Sequence, residues 1–386
     1  MDINKKKILY VINVDWYFSM HWLDRAKAAL ASGADVHVAM FFKNEKIRVD
    51  FLSIGFTCHD ISFERKNLNP VDEWRNFVRV RKLFKDLNPD VVHCITWKPV
   101  IYGGVVAKLT KTPVVLTLAG LGMIFSSHKI SYKILRRPLA FLLAIVTNRR
   151  HVLLTFENNH DLKLLDGMVS IASENVRIIP GAGVNTEKFV PIDSQNNKPL
   201  VLFAARLLKS KGLGLLVKAI EKINSDGLAV ELHVAGIRDE DSWDALKDEC
   251  LKSWFASDNI IWHGRVENME DLVGKADIVC LPTSYGEGIP RILIEASSCE
   301  TPIVTTDVAG CNEFVVEGDN GLLVPVNNVS ALSEAIKSLI ESEALRKELG
   351  RNGRMKVERY YSNNKVIAKT LALYEELLSV NMKSDH

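Results

Sequence analysis

Ser284-Tyr285-Gly286-Glu287-Gly288-Ile289-Pro290-Arg291-Ile292-Leu293-Ile294-Glu295-Ala296 is the stretch on which the reading of this chain turns. A short apolar run, Ile278 to Leu281, precedes it and reads as a buried strand. Pro290 falls where a helix would begin, at a first-turn position that suits its fixed φ and missing N–H. Gly286 and Gly288 carry no Cβ and let backbone approach a ligand closely. The layout is therefore strand, glycine loop, helix start. The free N–H groups and dipole of such a start favour an anion such as a diphosphate. Two carboxylates frame the loop, Glu287 before the helix and Glu295 within it. A carboxylate is a poor partner for phosphate but accepts hydrogen bonds from paired sugar hydroxyls. Together these features describe a site for a nucleotide sugar.

The two glutamates around a glycine–proline loop resemble the signature of the retaining family-4 glycosyltransferases of the GT-B fold. The likeness continues in Pro302-Ile303-Val304-Thr305-Thr306-Asp307, in Gly310-Cys311 and in Asn320-Gly321-Leu322-Leu323-Val324-Pro325, and extends over most of the chain. It implies that Glu295 binds the nucleotide ribose, that Glu287 faces the donor sugar and reacting centre, and that Gly288, Ile289 and Pro290 lie against the donor. Upstream, Ala205-Arg206-Leu207-Leu208-Lys209-Ser210-Lys211-Gly212 fits the family's Arg and Lys that clamp the diphosphate. The chemistry asks for them: the leaving nucleotide gains charge as the glycosidic bond breaks, and fixed cations aimed there lower the barrier. Gly264 and Val266 resemble the segment that meets the nucleotide base through backbone groups.

A chain of 386 residues suits two domains of ordinary size. With 47% apolar and 25% charged residues it has the composition of a soluble globular protein. Six cysteines without a CxxC pair argue for reduced thiols rather than a disulfide framework or a zinc site. Lys5-Lys6-Lys7 and the apolar run after it imitate a signal peptide, but Asp15 breaks the run early and no small-residue cleavage site follows, so a first strand is expected. No run approaches the roughly 18–20 apolar residues that span a bilayer. The net charge of +2 hides an asymmetry. Residues 1–190 hold 27 Lys/Arg against 17 Asp/Glu, and the remainder 22 against 30. Between Asp90 and Glu157 nine Lys/Arg occur and no acid, a field that favours an anionic partner or membrane surface.

Strands alternate with helices in both halves, as in two Rossmann-like domains. The expected boundaries are an acceptor-binding domain at 1–190, a nucleotide-sugar domain at 191–361, and a C-terminal helix and tail at 362–386. The resemblance adds that the two domains face each other across a cleft and that the last helix crosses back to the first. Residues 15–21 are expected as a loop opening from the first strand onto the ligand crevice. There His21, followed by Trp22 where related surface-polysaccharide enzymes have Arg, either lines the acceptor side of the cleft or caps a helix. His93 and Lys98-Pro99 resemble the same subset; His93 is either a cleft residue or a half-buried strand histidine, and Lys98 is a candidate for an acceptor phosphate. Gly120-Leu121-Gly122 resembles a cleft-facing loop. Residues 130–147 read as a basic, strongly apolar helix, either packed in a core or resting at a membrane interface. Asp239-Glu240-Asp241 formally matches a DxD metal motif, but its place between a strand and a helix is where acidic N-cap residues are expected.

These readings converge on a retaining glycosyltransferase that moves a sugar from a nucleoside diphosphate sugar, a UDP-sugar, to a polyprenyl diphosphate-linked glycan in bacterial surface polysaccharide synthesis. Two alternatives are an enzyme of the same fold on a soluble acceptor and a non-catalytic sugar-binding scaffold. No metal or other cofactor is expected, since Arg206, Lys211 and the helix start supply the positive charge. The expected location is the cytoplasmic face of the inner membrane, held there by anionic lipid. Nucleic acid is not expected as a partner.

Overall fold

The computed structural model describes residues 2–61, 69–121, 130–168, 171–193, 196–240, 242–286 and 288–383. The chain forms two compact units, one of residues 1–182 with 364–386 and one of residues 183–363.

The first unit holds seven parallel strands: β1 Lys7–Val14, β2 Asp35–Phe41, β3 Thr57–Asp60, β4 Val91–Ile95, β5 Val114–Leu118, β6 Val152–Phe156 and β7 Val176–Ile178, in the order β3-β2-β1-β4-β5-β6-β7. A parallel sheet covered on both faces needs strands apolar on both sides, and β1, β4, β5 and β6 are such runs. Their side chains divide alternately between two cores. Leu9, Val11, Val92 and Cys94 face the helices Pro70–Leu87, Trp97–Thr110 and Ile130–Thr147. Ile8, Tyr10, Ile12 and Val91 face the helices Asp15–His21, Leu23–Ala31 and Glu45–Ile54, and the C-terminal helix Asn363–Lys383 through Val366, Leu373 and Leu377.

The segment expected as a loop after β1 is instead the helix Asp15–His21, starting directly from Val14. Asp15 is fully buried there; one carboxylate oxygen accepts from Trp16 N at 2.7 Å and the other from Asn44 N at 2.7 Å, which pins the helix start to the N-cap of the helix Glu45–Ile54.

The second unit holds β8 Leu200–Ala204, β9 Glu231–Ala235, β10 Ile260–Gly264, β11 Ile278–Leu281, β12 Ile303–Thr306 and β13 Leu322–Val324, all parallel, in the order β10-β9-β8-β11-β12-β13. Its single core runs from Val184 to Tyr361. Residues 183–190 belong to it: Phe189 is buried in that core, and Val184 bridges to Ser362. Sequence order reverses between β8 and β11, so the carboxyl ends of these two strands border the switch point where open α/β sheets bind ligands.

Candidate active site

Two loops meet at that switch point, residues 205–212 from β8 and residues 282–286 from β11. Ser284 N donates to Ser210 O at 2.8 Å, and Thr283 Oγ1 to the same oxygen at 3.1 Å. Gly212 makes the approach possible. Its φ is +83°, and a Cβ there would stand 2.0 Å from the Pro282 carbonyl oxygen. The turn Lys209–Lys211 thereby turns Lys211 inward; it is 6% exposed, with Nζ 5.3 Å from the centre of the Tyr285 ring. An ammonium over a ring face is held by the ring quadrupole and keeps its charge out of bulk water. Arg206, half-exposed beside it in sequence, donates from Nη1 to Asp239 Oδ2 at 2.6 Å. Both cations named from sequence thus stand on one loop at the carboxyl edge of the second sheet.

The acidic segment after β9 does not cap a helix. The next helix is Asp248–Trp254, with Lys247 at its N-cap. The segment folds back on the β8 loop instead. Leu207 N donates to Ile237 O at 3.0 Å, Lys209 N to Asp244 O at 2.8 Å, and Ser210 N to Asp244 Oδ2 at 3.0 Å. Asp239 and Asp244 are therefore the braces of the cation loop, a role that sequence position did not suggest. Asp241 lies outside the described residues.

Pro290 is the N-cap of the helix Arg291–Ser298, one position before the expected first turn, because its φ of −61° with ψ of 125° holds it extended. Ile289 and Pro290 are buried, and Gly288 is half-buried. Gly286 has its own packing reason: a Cβ would meet Ala309 Cβ at 2.9 Å. Glu295 sits on the helix, 7% exposed, and accepts from Arg291 Nε at 2.6 Å. Burial raises its carboxyl above the ordinary range, and the Arg291 guanidinium partly opposes that. Such a carboxylate, desolvated and held by a cation, is set to accept from neutral hydroxyls. Glu287 lies outside the described residues. Gly264, at φ +63°, ends β10, and its carbonyl accepts from Gly236 N at 2.7 Å; Val266 follows, half-buried against the core.

In the first unit the expected acceptor residues fare differently. His93 is not a cleft residue. It is 1% exposed in the middle of β4, with Nδ1 2.7 Å from Tyr374 OH and Nε2 2.6 Å from Thr117 Oγ1. Both ring nitrogens are occupied, and burial pulls its pKa well below 6.5. Lys98 donates to Glu73 at 2.7 Å, so a phosphate would have to displace a carboxylate to reach it. His21 is half-buried at the end of its helix, its ring 4.4 Å from that of Tyr17. Gly120 takes φ +82° after β5, next to Leu121, whose carbonyl accepts from Trp97 Nε1 at 3.1 Å. Gly122 lies outside the described residues. Sequence reasoning also missed Arg25. It is buried, stacked 4.1 Å over Trp22, and donates to Gly181 O at 2.7 Å.

Comparison with known proteins agrees with this layout. Residues 7–149 match the family described as glycosyl transferase 4-like, and residues 184–356 match glycosyl transferases group 1. A curated relative from Campylobacter jejuni, N,N'-diacetylbacillosaminyl-diphospho-undecaprenol alpha-1,3-N-acetylgalactosaminyltransferase, is 27% identical over 82% of this chain and 85% of its own. UDP-Gal:alpha-D-GlcNAc-diphosphoundecaprenol alpha-1,3-galactosyltransferase of Escherichia coli is 22% identical over 81% and 82%. Among solved structures, HepE of Anabaena in complex with UDP and glucose superposes with a TM-score of 0.77 at 16% identity, covering 95% of this chain and 99% of that one.

Proposed function

We propose, for a chain that belongs to the glycosyltransferases of the GT-B fold, that it moves a sugar from a UDP-sugar to a glycan carried on a polyprenyl diphosphate, with retention of configuration, in building a bacterial surface polysaccharide such as an O-antigen or capsule. The observation that carries this reading is the convergence of Arg206, the enclosed Lys211 and the glycine–proline loop at the switch point of the second sheet. The named activities of the two curated relatives support the lipid-linked acceptor, and the UDP bound by HepE supports the donor.

In the reaction, the acceptor oxygen attacks the anomeric carbon from the face that the diphosphate leaves. The new carbon–oxygen bond forms as the bond to the β-phosphate oxygen breaks, and the departing phosphate takes the hydroxyl proton. Arg206 and Lys211 meet the charge that grows on the diphosphate, and Glu295 holds the ribose hydroxyls. Glu287 is assigned to the donor sugar and reacting centre. The first unit contributes the acceptor side, with His21 and the loop at Gly120 as its candidates. Basic residues of that unit hold the protein to anionic lipid on the cytoplasmic face of the inner membrane. No metal ion enters the scheme.

The test is incubation of the purified protein with a panel of UDP-sugars and a synthetic polyprenyl diphosphate sugar, with and without EDTA, read by mass spectrometry and by NMR of the new linkage. The expected result is one α-linked sugar added to the lipid-linked acceptor at a rate that EDTA leaves unchanged. A β-linked product would overturn retention. Transfer to soluble sugars alone would overturn the acceptor, and a loss on chelation restored by Mn²⁺ would overturn metal independence.

A further inference from the structure

The helices Pro70–Leu87, Trp97–Thr110 and Ile130–Thr147 form one layer. All three turn their inner sides to the same core on one face of the first sheet, through Val80 and Phe84, Val100 and Val106, Leu143 and Val146. Gly104 lets the second and third helices close, since a Cβ there would stand 3.0 Å from Val146. The outer side of the layer is not an ordinary surface. Of the nineteen large hydrophobic residues that are exposed among the described ones, eight lie on these three helices. On the first helix Val71, Trp74 and Val78 are spaced to form one stripe, with Trp74 66% exposed. On the third, Ile134, Phe141 and Ile145 form another, widened by Leu142.

Cations stand beside both stripes: Arg75, Arg79 and Lys82 on the first helix and Arg137 on the third, all exposed. The three helices carry ten Lys/Arg against three Asp/Glu. Two of those acids are already held, Asp72 by Arg75 and Glu73 by Lys98. Apolar stripes flanked by Lys and Arg, with a Trp among them, are what a headgroup region accommodates. The excess of positive charge opposes a second copy of the same face and matches anionic lipid. No helix of the described residues is long and apolar enough to cross a membrane.

We infer that the outer side of this whole layer, the helix Pro70–Leu87 with Trp74 as well as the helix Ile130–Thr147, is the face that rests on an anionic bilayer. This rests on the proposed membrane attachment and fixes which surface makes it. The sequence drew attention to the third helix alone, because the first is polar in mean composition and shows its apolar stripe only when its buried side is known.

Vesicle flotation with the full chain tests the inference, using phosphatidylglycerol–phosphatidylcholine vesicles against pure phosphatidylcholine at low and high salt. The wild type floats with the anionic vesicles at low salt and is released at high salt. Trp74→Ser with Val78→Ser, and separately Phe141→Ser with Ile145→Ser, each lower the bound fraction about fivefold or more, as expected for loss of buried anchors. Brominated lipid quenches wild-type tryptophan emission, and the quenching falls in Trp74→Phe. A wild type that stays unbound overturns the attachment itself. A wild type that binds, with the Trp74 and Val78 pair silent and no loss of quenching in Trp74→Phe, leaves attachment standing and overturns the shared face. Unchanged circular dichroism of the variants separates lost anchoring from lost folding.

Discussion

Arg206 and Lys211 sit five positions apart and are held in opposite ways. Lys211 is enclosed, fixed by the tight contact of Gly212 with Pro282 and by the Tyr285 ring. Arg206 stays half-exposed and is held by Asp239. A buried cation is pre-aimed and needs no reorganisation when charge develops. Arg206→Ala and Lys211→Ala should therefore each lower kcat/KM about 10²–10³-fold, the range for loss of one preorganised electrostatic donor. Steady-state kinetics with saturating acceptor measure it, and near wild-type values in either variant would remove that residue from the clamp. Asp239 makes a further distinction possible. On the proposed reading, a diphosphate at Arg206 competes with a carboxylate already there, across a partly exposed pair. Asp239→Asn should lower donor KM by up to about fivefold, the scale of such pairs, with kcat little changed. A raised KM would mean instead that Asp239 orients Arg206 for the donor. None of this competition is visible in the sequence, because Asp239 and Arg206 meet through space from different strands. The place of the loop was legible, since a glycine–proline segment after an apolar run falls between a strand and a helix in an α/β sheet.

At the scale of elements, β4 and the C-terminal helix share a buried network. Tyr374 OH lies 2.7 Å from His93 Nδ1 and 2.9 Å from Tyr10 OH, and Thr117 holds the other nitrogen. His93 is kept neutral by burial, with its pKa well below 6.5. The unfolded chain therefore takes up a proton in acid that the folded chain refuses. Stability is complete above pH 6.5 and falls as pH drops below it, at about 1.4 kcal/mol per pH unit while the folded imidazole stays neutral. Urea unfolding at pH 7 and pH 5.5 should show this loss in the wild type and a smaller one in His93→Gln. An identical loss in the variant would assign it to His59, His151 or His233, whose pKa values burial also lowers. Read from sequence, His93 had the right strand and the wrong surroundings, because its partner on Tyr374 lies 281 residues away. The same limit explains the other misses. The strands β1, β4, β5 and β6 were legible as apolar runs bounded by turns. The edge strand Thr57–Asp60 is short and polar, and carries no such pattern. The helix Asp15–His21 is set in part by the bond of Asp15 with Asn44, the N-cap of the helix Glu45–Ile54, which local spacing does not encode.

The chain as a whole passes from the first unit to the second and back, and the two passages lie side by side in the second unit. Val184 bridges to Ser362; its N–H donates to Tyr361 O at 3.0 Å, and its carbonyl accepts from Asn363 N at 2.8 Å. Everything between is continuous. Among the described residues, the core from Val184 to Tyr361 draws on none outside 183–363. The residues proposed for the donor, from Arg206 and Lys211 through Gly264 to Glu295, all fall inside as well. The segment has a length usual for an independent domain and termini already joined by backbone hydrogen bonds. Residues 1–182 have no such independence from the rest of their unit. Its core on one face of the sheet is completed by Val366, Leu373, Tyr374 and Leu377 from the C-terminal helix, which the chain reaches only after the second unit. Two truncations should therefore behave differently. Residues 183–363 expressed alone should fold cooperatively and bind UDP with a Kd within about tenfold of the full chain, since a loss of that size is near 1.4 kcal/mol and no described donor-side residue is removed. Residues 1–182 alone should lack a cooperative transition, because His93 and Tyr10 lose Tyr374 and the core on that face of the sheet loses Val366, Leu373 and Leu377. Calorimetric titration with UDP and thermal unfolding of both fragments make the comparison. A folded fragment 183–363 that fails to bind UDP would move part of the donor site outside the second unit, and a cooperative fragment 1–182 would show that the returning helix is not needed to complete the first core.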